Sequence, residues 1–135
     1  AMLRSVLSKA YSTARNGLPD NEDMGCHSAF YICGMIGLYP MMGQDWYFLT
    51  APAFTHSEIA LGRTGKRFVI SAPEASPDHL YIASAKLNGR PLHQAWITHD
   101  MITAGAVLAY ELSTSPTTWG RSPTPPSPMS NALID

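Results

Sequence analysis

The sequence has little charge and no strong bias toward either sign. Charged residues make up 14 % of the 135 residues, against about 25 % in an average soluble domain. Nine basic and ten acidic residues leave a formal net charge of −1, so nothing attracts the chain to phosphate backbones or acidic membrane surfaces. No stretch approaches the roughly 18 apolar residues of a membrane span. We therefore expect neither nucleic-acid binding nor membrane insertion, and the low charge indicates a surface that something else covers.

Cysteine is also scarce, and the two cysteines are badly placed for a bridge or a metal. Cys26 and Cys33 are seven residues apart, which is about 10.5 Å along a helix axis. A disulfide requires Cα atoms within about 7 Å. Neither cysteine belongs to a CxxC motif or a Cys/His cluster, so we expect no disulfide between them and no zinc site.

Apolar spacing divides the chain into a helical part and a β-rich part. Residues 2–11 and 23–37 are predicted helices, and the second is apolar nearly all round, as in a helix enclosed on every side. Asn88-Gly89 is typical of a tight hairpin turn, and 99–105 is predicted to add one helical turn. Short segments rich in β-branched and aromatic residues are predicted strands; they are 46–50, 56–61, 67–72, 80–87, 94–98 and 106–112.

These elements predict an α+β fold in three parts. Residues 1–40 hold the two helices, and residues 41–112 form an antiparallel, sandwich-like β lobe. From Ser113 the composition becomes rich in Ser, Thr and Pro, which cannot bury enough apolar surface to offset ordering. Residues 113–135 are therefore predicted to be a flexible, disordered tail.

The densest polar cluster is Asp20-Asn21-Glu22-Asp23, between a Gly-Leu-Pro turn and the apolar second helix. One interpretation is structural: Asp and Asn cap the helix, and acids in its first turn suit the helix dipole. The other is catalytic: a carboxylate held at the mouth of a pocket by a buried helix can act as a general base on water. Residue types alone favour the first.

A longer pattern around this cluster resembles glycoside hydrolase family 92, the calcium-dependent exo-α-mannosidases. The run GLPDNEDMGCHSAFYICGMIGLYP, residues 17–40, is similar to that family's signature. The similarity continues in order through YFLTAPAF (47–54), SPDHLYIASAKLNGRPL (76–92), WITHDMITAG (96–105) and PTTWG (116–120). It covers almost the whole chain from residue 3 to residue 120.

The resemblance implies an inverting exo-α-mannosidase that removes terminal mannose from glycans, with α-1,2 as the expected linkage. It implies that the two helices are a remnant of an (α/α)6 barrel and that Ca²⁺ grips the mannose. By the family motif, Asp23 is the catalytic base and Asn21 stands where a second acid often holds the water. Glu22, between them, is expected to point elsewhere. The sequence departs from the motif at four positions, which leaves the substrate fit open: Asp20 for Gly, Cys26 for Gln, His27 for Met or Thr, and Phe30 for Trp.

The general acid and the calcium ligands are missing from the pattern. An inverting glycosidase needs an acid opposite the base, and in this family the acid lies upstream of the present motif. Calcium needs six to eight oxygens, and no dense carboxylate run supplies them. We therefore expect the C-terminal part of a larger enzyme, inactive alone, whose partners are upstream domains and a mannose-containing glycan. Self-association through the exposed apolar helices 2–11 and 23–37 is also expected.

Two alternatives from other functional classes stay open. A free-standing carbohydrate-binding module would present aromatic platforms on one strand face and would need neither Asp23 nor calcium. An inactive truncated domain would share the family's fold without its chemistry. The compartment does not follow from the sequence, although the family is usually secreted or periplasmic.

Overall fold

The computed structural model of the chain describes residues 1–127. It begins with two helices, α1 (Met2–Ala10) and α2 (Cys26–Ile36), and both predicted helices are thereby confirmed. They pack through Leu7 of α1, which is buried, and Gly34 of α2. A Cβ atom at Gly34 would lie 2.8 Å from Leu7 Cδ1, so glycine permits this close approach.

Within residues 1–127, the apolar helix α2 is covered only in part, as expected of a helix whose other neighbours lie outside these residues. Gly34 is the only residue of α2 that is buried, and Ile32 is 58 % exposed. The reason is that α1 and the strand that follows α2 cover one side of the helix and leave the other open. In the same stretch of chain, no helix combines the length and apolar character needed to cross a bilayer.

Within residues 1–127, eight strands form two sheets. The strands are β1 (Leu38–Pro40), β2 (Trp46–Leu49), β3 (His56–Ala60), β4 (Arg67–Ser71), β5 (Tyr81–Leu87), β6 (Arg90–Leu92), β7 (Trp96–Thr98) and β8 (Ala106–Ser113). The three-stranded sheet has the order β1-β2-β7 and is antiparallel throughout. The five-stranded sheet has the order β3-β4-β8-β5-β6, and the short helix α3 (His99–Thr103) leads into β8.

Both sheets contribute to one apolar core, as the predicted sandwich-like lobe requires. Leu49 of β2 lies in the same cluster as Phe68 of β4 and Leu108 of β8, and the last two are fully buried. One pair departs from the antiparallel expectation, since β4 and β8 run parallel, with Val69 opposite Val107. The connection between them contains β5, β6, β7 and α3, which is long enough to return the chain in the same direction.

The six predicted strands are all present, and two short ones were not predicted. β1 and β6 have three residues each and contain Pro40 and Pro91, which weaken a strand signal. The predicted hairpin joins β5 to β6, with Asn88 (φ 51°) and Gly89 (φ 78°) in the left-handed region. The predicted helical turn is α3.

The expectation of a flexible tail from residue 113 is wrong for its first part. The Thr117 hydroxyl donates to the Ile82 carbonyl, and Trp119 Nε1 donates to the Leu92 carbonyl at 2.7 Å. Trp119 also packs against the core. One tryptophan and a few hydrogen bonds hold this segment on the lobe despite its Ser/Pro composition. The end of the predicted tail, residues 128–135, lies outside the described residues.

Candidate active site

The loop before α2 carries the predicted base and contains two left-handed residues in succession. Asp23 opens a 3-10 turn, Asp23–Gly25, in which the Cys26 N–H donates to the Asp23 carbonyl. Met24 (φ 53°) and Gly25 (φ 77°) then bring the chain directly into α2. The left-handed conformation costs an L-residue such as methionine about 1–2 kcal/mol. Contacts elsewhere in the loop must therefore offset the backbone strain at Met24.

The Asp23 carboxylate is exposed, and it has no hydrogen-bond or ion-pair partner anywhere in residues 1–127. Its oxygens are thus free to accept hydrogen bonds from a water or a substrate hydroxyl. Asn21, two residues earlier, is also exposed. The two predicted site residues therefore lie on one exposed loop at the start of α2.

Asp20, where the family motif has glycine, is accommodated by a local contact. Its Oδ1 accepts a hydrogen bond from the Asn21 backbone N–H at 2.8 Å. Short acidic side chains often satisfy neighbouring backbone groups in this way. The departure therefore supplies an acceptor for the backbone N–H of Asn21.

Glu22 makes the contact with α2 that the structural interpretation assigned to Asp and Asn. Its Oε1 accepts a hydrogen bond from the Ser28 backbone N–H at 3.0 Å, across six residues of sequence. Free N–H groups at a helix start need such acceptors. Glu22 Oε2 is inaccessible to solvent and has no partner within the part of the chain that the structure describes. Sequence reasoning missed this cap, because no common capping motif has a Glu six residues before its donor.

An aromatic group lies behind the loop and includes two of the departures from the motif. The Tyr11 hydroxyl and His27 Nδ1 are 3.1 Å apart. The Tyr11 ring stacks on Phe30 at 6.1 Å and contacts Tyr31 at 5.1 Å between centroids. Burial raises the pKa of the Tyr11 phenol, and nearby negative charge on Cys26 and Glu22 raises it further. Nothing in the sequence pairs Tyr11 with His27, which are sixteen positions apart.

A cavity of about 340 Å³ opens between the end of α1 and α2. It combines aromatic, hydroxyl and aliphatic side chains, and neither Asp23 nor Asn21 lines it. Its walls are Tyr11, Ser12, Thr13, Leu18, Ser28, Tyr31 and Ile32.

Calcium, which the family resemblance implies, does not fit the residues present here. The ion takes six to eight oxygen ligands. Across residues 1–127, no three His, Cys, Asp or Glu side chains come together in a group that could hold a metal. This stretch of the chain therefore does not build a calcium site by itself.

Comparison with known proteins finds relatives that match most of the chain. The profile of the glycosyl hydrolase family 92 catalytic domain matches residues 1–114. A protein of Arthroderma benhamiae, described as an uncharacterized secreted glycosidase, is 31 % identical over 127 residues, which are 91 % of this chain and 16 % of that protein.

Solved structures agree. An inverting mannosidase of family 92 from Bacteroides thetaiotaomicron superimposes with a TM-score of 0.77 at 33 % identity, over 85 % of this chain and 16 % of that one. A family 92 α-mannosidase from the same organism, solved in complex with mannoimidazole, gives a TM-score of 0.86 at 27 % identity, over 94 % of this chain and 17 % of that one. The chain thus spans about a sixth of the length of these relatives. By the profile match and the shared fold together, the chain belongs to glycosyl hydrolase family 92.

Proposed function

We propose that this chain supplies the catalytic base of an inverting exo-α-mannosidase, with Asp23 as the base. The observation that carries the proposal is the exposed Asp23 carboxylate, which has no partner in residues 1–127 and lies on a turn with two left-handed residues. Two relatives with solved structures are described as mannosidases, one of them as inverting. The substrate class we propose is a glycan with terminal mannose, and the linkage is α-1,2.

The proposed reaction is a single displacement. Asp23 accepts a proton from a water molecule as that water attacks the anomeric carbon, and Asn21 orients the water through its amide. Asn21 cannot accept the proton, so the base role belongs to Asp23 alone. A general acid about 6.5–9.5 Å away protonates the leaving oxygen on the opposite face of the sugar.

We propose that this acid lies outside the described residues. Three carboxylates of the β lobe already have structural partners: Glu58 pairs with Arg67, Glu74 accepts from the Leu112 N–H, and Glu111 accepts from the Ser84 hydroxyl. We also place the calcium ligands outside residues 1–127, because no three acidic, histidine or cysteine side chains come together in this stretch. The chain alone is therefore expected to release no mannose.

The alternative of a carbohydrate-binding module has less support. Such a module needs tryptophan faces open to a sugar. Trp46 is buried, Trp119 packs against the core, and Trp96 is partly buried with its indole N–H donating to the Pro123 carbonyl.

The test uses a hybrid enzyme. In the Bacteroides α-mannosidase solved with mannoimidazole, the stretch that matches this chain is replaced by residues 1–114 of this chain. Mannose release from α-1,2-mannobiose is then measured. Asp23→Asn should lower kcat by about 10²–10⁴-fold, the range for general-base catalysis. Asp20→Asn, in the same loop, is the matched control and should keep its activity. Near-normal turnover of Asp23→Asn would refute the assignment of the base. Release of mannose by the 135-residue chain alone would refute the location of the acid.

A further inference from the structure

The turn that carries Asp23 is not held by packing of its own side chains. Met24 adopts a positive φ of 53°, and its side chain is fully exposed. No buried apolar contact therefore offsets the unfavourable backbone conformation. Strained residues persist only where their surroundings fix them, and they concentrate at functional sites.

The contacts across this turn come from the backbone and from Glu22. The Gly25 N–H donates to the Glu22 carbonyl at 3.4 Å, which is a long hydrogen bond. The Glu22 side chain then reaches past the turn, and its Oε1 accepts from the Ser28 N–H at 3.0 Å. One residue thus joins both sides of the segment that contains Asp23, Met24 and Gly25.

The Glu22 carboxylate is held in place rather than solvated. Oε2 is inaccessible to solvent, although it has no partner in residues 1–127. Leaving a carboxylate oxygen without a partner is unfavourable. The N-cap position itself is Gly25, which has no side chain, so the Ser28 N–H receives its acceptor from Glu22, six residues earlier in the sequence.

We propose that Glu22 is the positioning residue for Asp23: by bridging to Ser28 it fixes the left-handed turn and so the orientation of the neighbouring carboxylate. The role rests on the proposed function of Asp23 as a base. Glu22 does not take part in proton transfer itself. Its oxygen at Ser28 acts on the backbone, and the backbone sets where Asp23 points.

The first experiment uses the 135-residue chain and needs no catalysis. Backbone ¹⁵N relaxation gives the order parameters of the Asp23, Met24 and Gly25 amides, for which rigid backbone has about 0.85 and flexible backbone less than about 0.6. Glu22→Ala should move these amides from the rigid to the flexible range. Glu22→Gln should keep them rigid, because its amide oxygen can still accept from Ser28. Asp20→Ala, which removes a carboxylate from the same loop without touching α2, is the matched control and should leave them rigid.

The second experiment measures kcat and KM for the same three variants in the hybrid enzyme that carries residues 1–114 of this chain. Glu22→Ala should lower kcat by about 10²-fold, the order of loss from a misplacement of about 1 Å, with little change in KM. Glu22→Gln should recover most of this loss. A purely structural role would instead lower thermal stability and active fraction without this recovery and without the local change in mobility.

The outcomes separate this inference from the function on which it rests. The positioning role would be overturned if the amides stayed rigid in Glu22→Ala. It would also be overturned if Glu22→Ala and Glu22→Gln lost kcat equally. Either result would hold even if Asp23→Asn abolished activity. Flexible amides in Glu22→Ala together with full activity of Asp23→Asn would refute the base, and with it the functional part of this inference, while leaving the Glu22 bridge established.

Discussion

Gly37 and Thr50 join the end of α2 to the β lobe through a contact that tolerates no side chain. The Thr50 N–H donates to the Gly37 carbonyl at 3.1 Å. A Cβ atom added to Gly37, whose φ is +83°, would lie only 2.6 Å from the Thr50 carbonyl oxygen. The direction in which α2 meets the sheets is therefore set at this residue.

Gly37→Ala should lower the free energy of unfolding by about 3 kcal/mol, because left-handed strain adds to overpacking against backbone. Gly43→Ala is the matched control, since Gly43 has a φ of +72° and nothing within 4 Å of an added Cβ. It should lose only about 1 kcal/mol. Urea denaturation measures both free energies of unfolding. Equal losses in the two variants would show that the backbone at Thr50 moves away from the added Cβ at little cost.

Met24→Gly should stabilise the chain by up to about 1 kcal/mol. Glycine relieves the cost of a φ of 53°, and this gain exceeds the extra entropy of the unfolded glycine. Met24 loses no buried surface because its side chain is fully exposed. Met42→Gly, at another exposed methionine whose φ is not positive, should instead destabilise by about 0.5–1 kcal/mol. Thermal and chemical denaturation give the free energy of unfolding of both variants. An equal loss of stability in the two would contradict backbone strain at Met24.

Tyr110→Phe should not destabilise the chain and should change how its stability depends on alkaline pH. The Tyr110 hydroxyl is buried without a hydrogen-bond partner among the described residues, so its removal should gain about 1 kcal/mol. Burial raises the pKa of Tyr110 far above its ordinary value of 10.0. Above pH 10 the unfolded phenol ionises while the folded one stays protonated, so the stability of the unsubstituted chain falls as pH rises. Urea midpoints between pH 8 and 11 should fall less steeply in Tyr110→Phe, and parallel slopes would contradict this.

Trp119→Ala should release the segment after β8 and lower the free energy of unfolding by about 2–3 kcal/mol. The substitution removes a ring packed against the core and the hydrogen bond to the Leu92 carbonyl. Thr118→Ala, at the exposed neighbouring position, should have no measurable effect. Limited proteolysis should cleave Trp119→Ala faster between residues 114 and 123. Resistance equal to that of the Thr118 variant would mean that other contacts hold the segment.

The β lobe could be predicted because its strands have a clear alternating pattern. In β8, Ala106, Leu108, Tyr110 and Leu112 are buried and the residues between them are not, as the sequence AVLAYELS indicates. The hairpin at Asn88-Gly89 followed from its turn chemistry. The docked segment around Trp119 could not be predicted, because composition reports the average character of a segment and one aromatic residue decides whether it packs.

The sequence placed the candidate loop correctly along the chain, but its conformation could not be predicted. The loop around Asp23 lies directly before α2, as expected, and the role of Asp23 as a base stays a proposal. The bridge from Glu22 to Ser28 depends on the positive φ of Met24, which a methionine in a sequence does not signal. The Tyr11–His27 contact depends on how α1 packs against α2, a tertiary relationship that local spacing does not contain.

The position of β8 at the centre of the five-stranded sheet has a consequence for biosynthesis. Among the strands of residues 1–127, β8 comes last in sequence, yet it pairs with β4 on one side and β5 on the other. Until the ribosome has released residues 106–113, β3–β4 and β5–β6 can exist only as two separate hairpins, each with an unpaired inner edge. Isolated hairpins are marginal in water, and open strand edges are prone to aggregate. The central pairing of the five-stranded sheet can therefore form only after β8 has been synthesised.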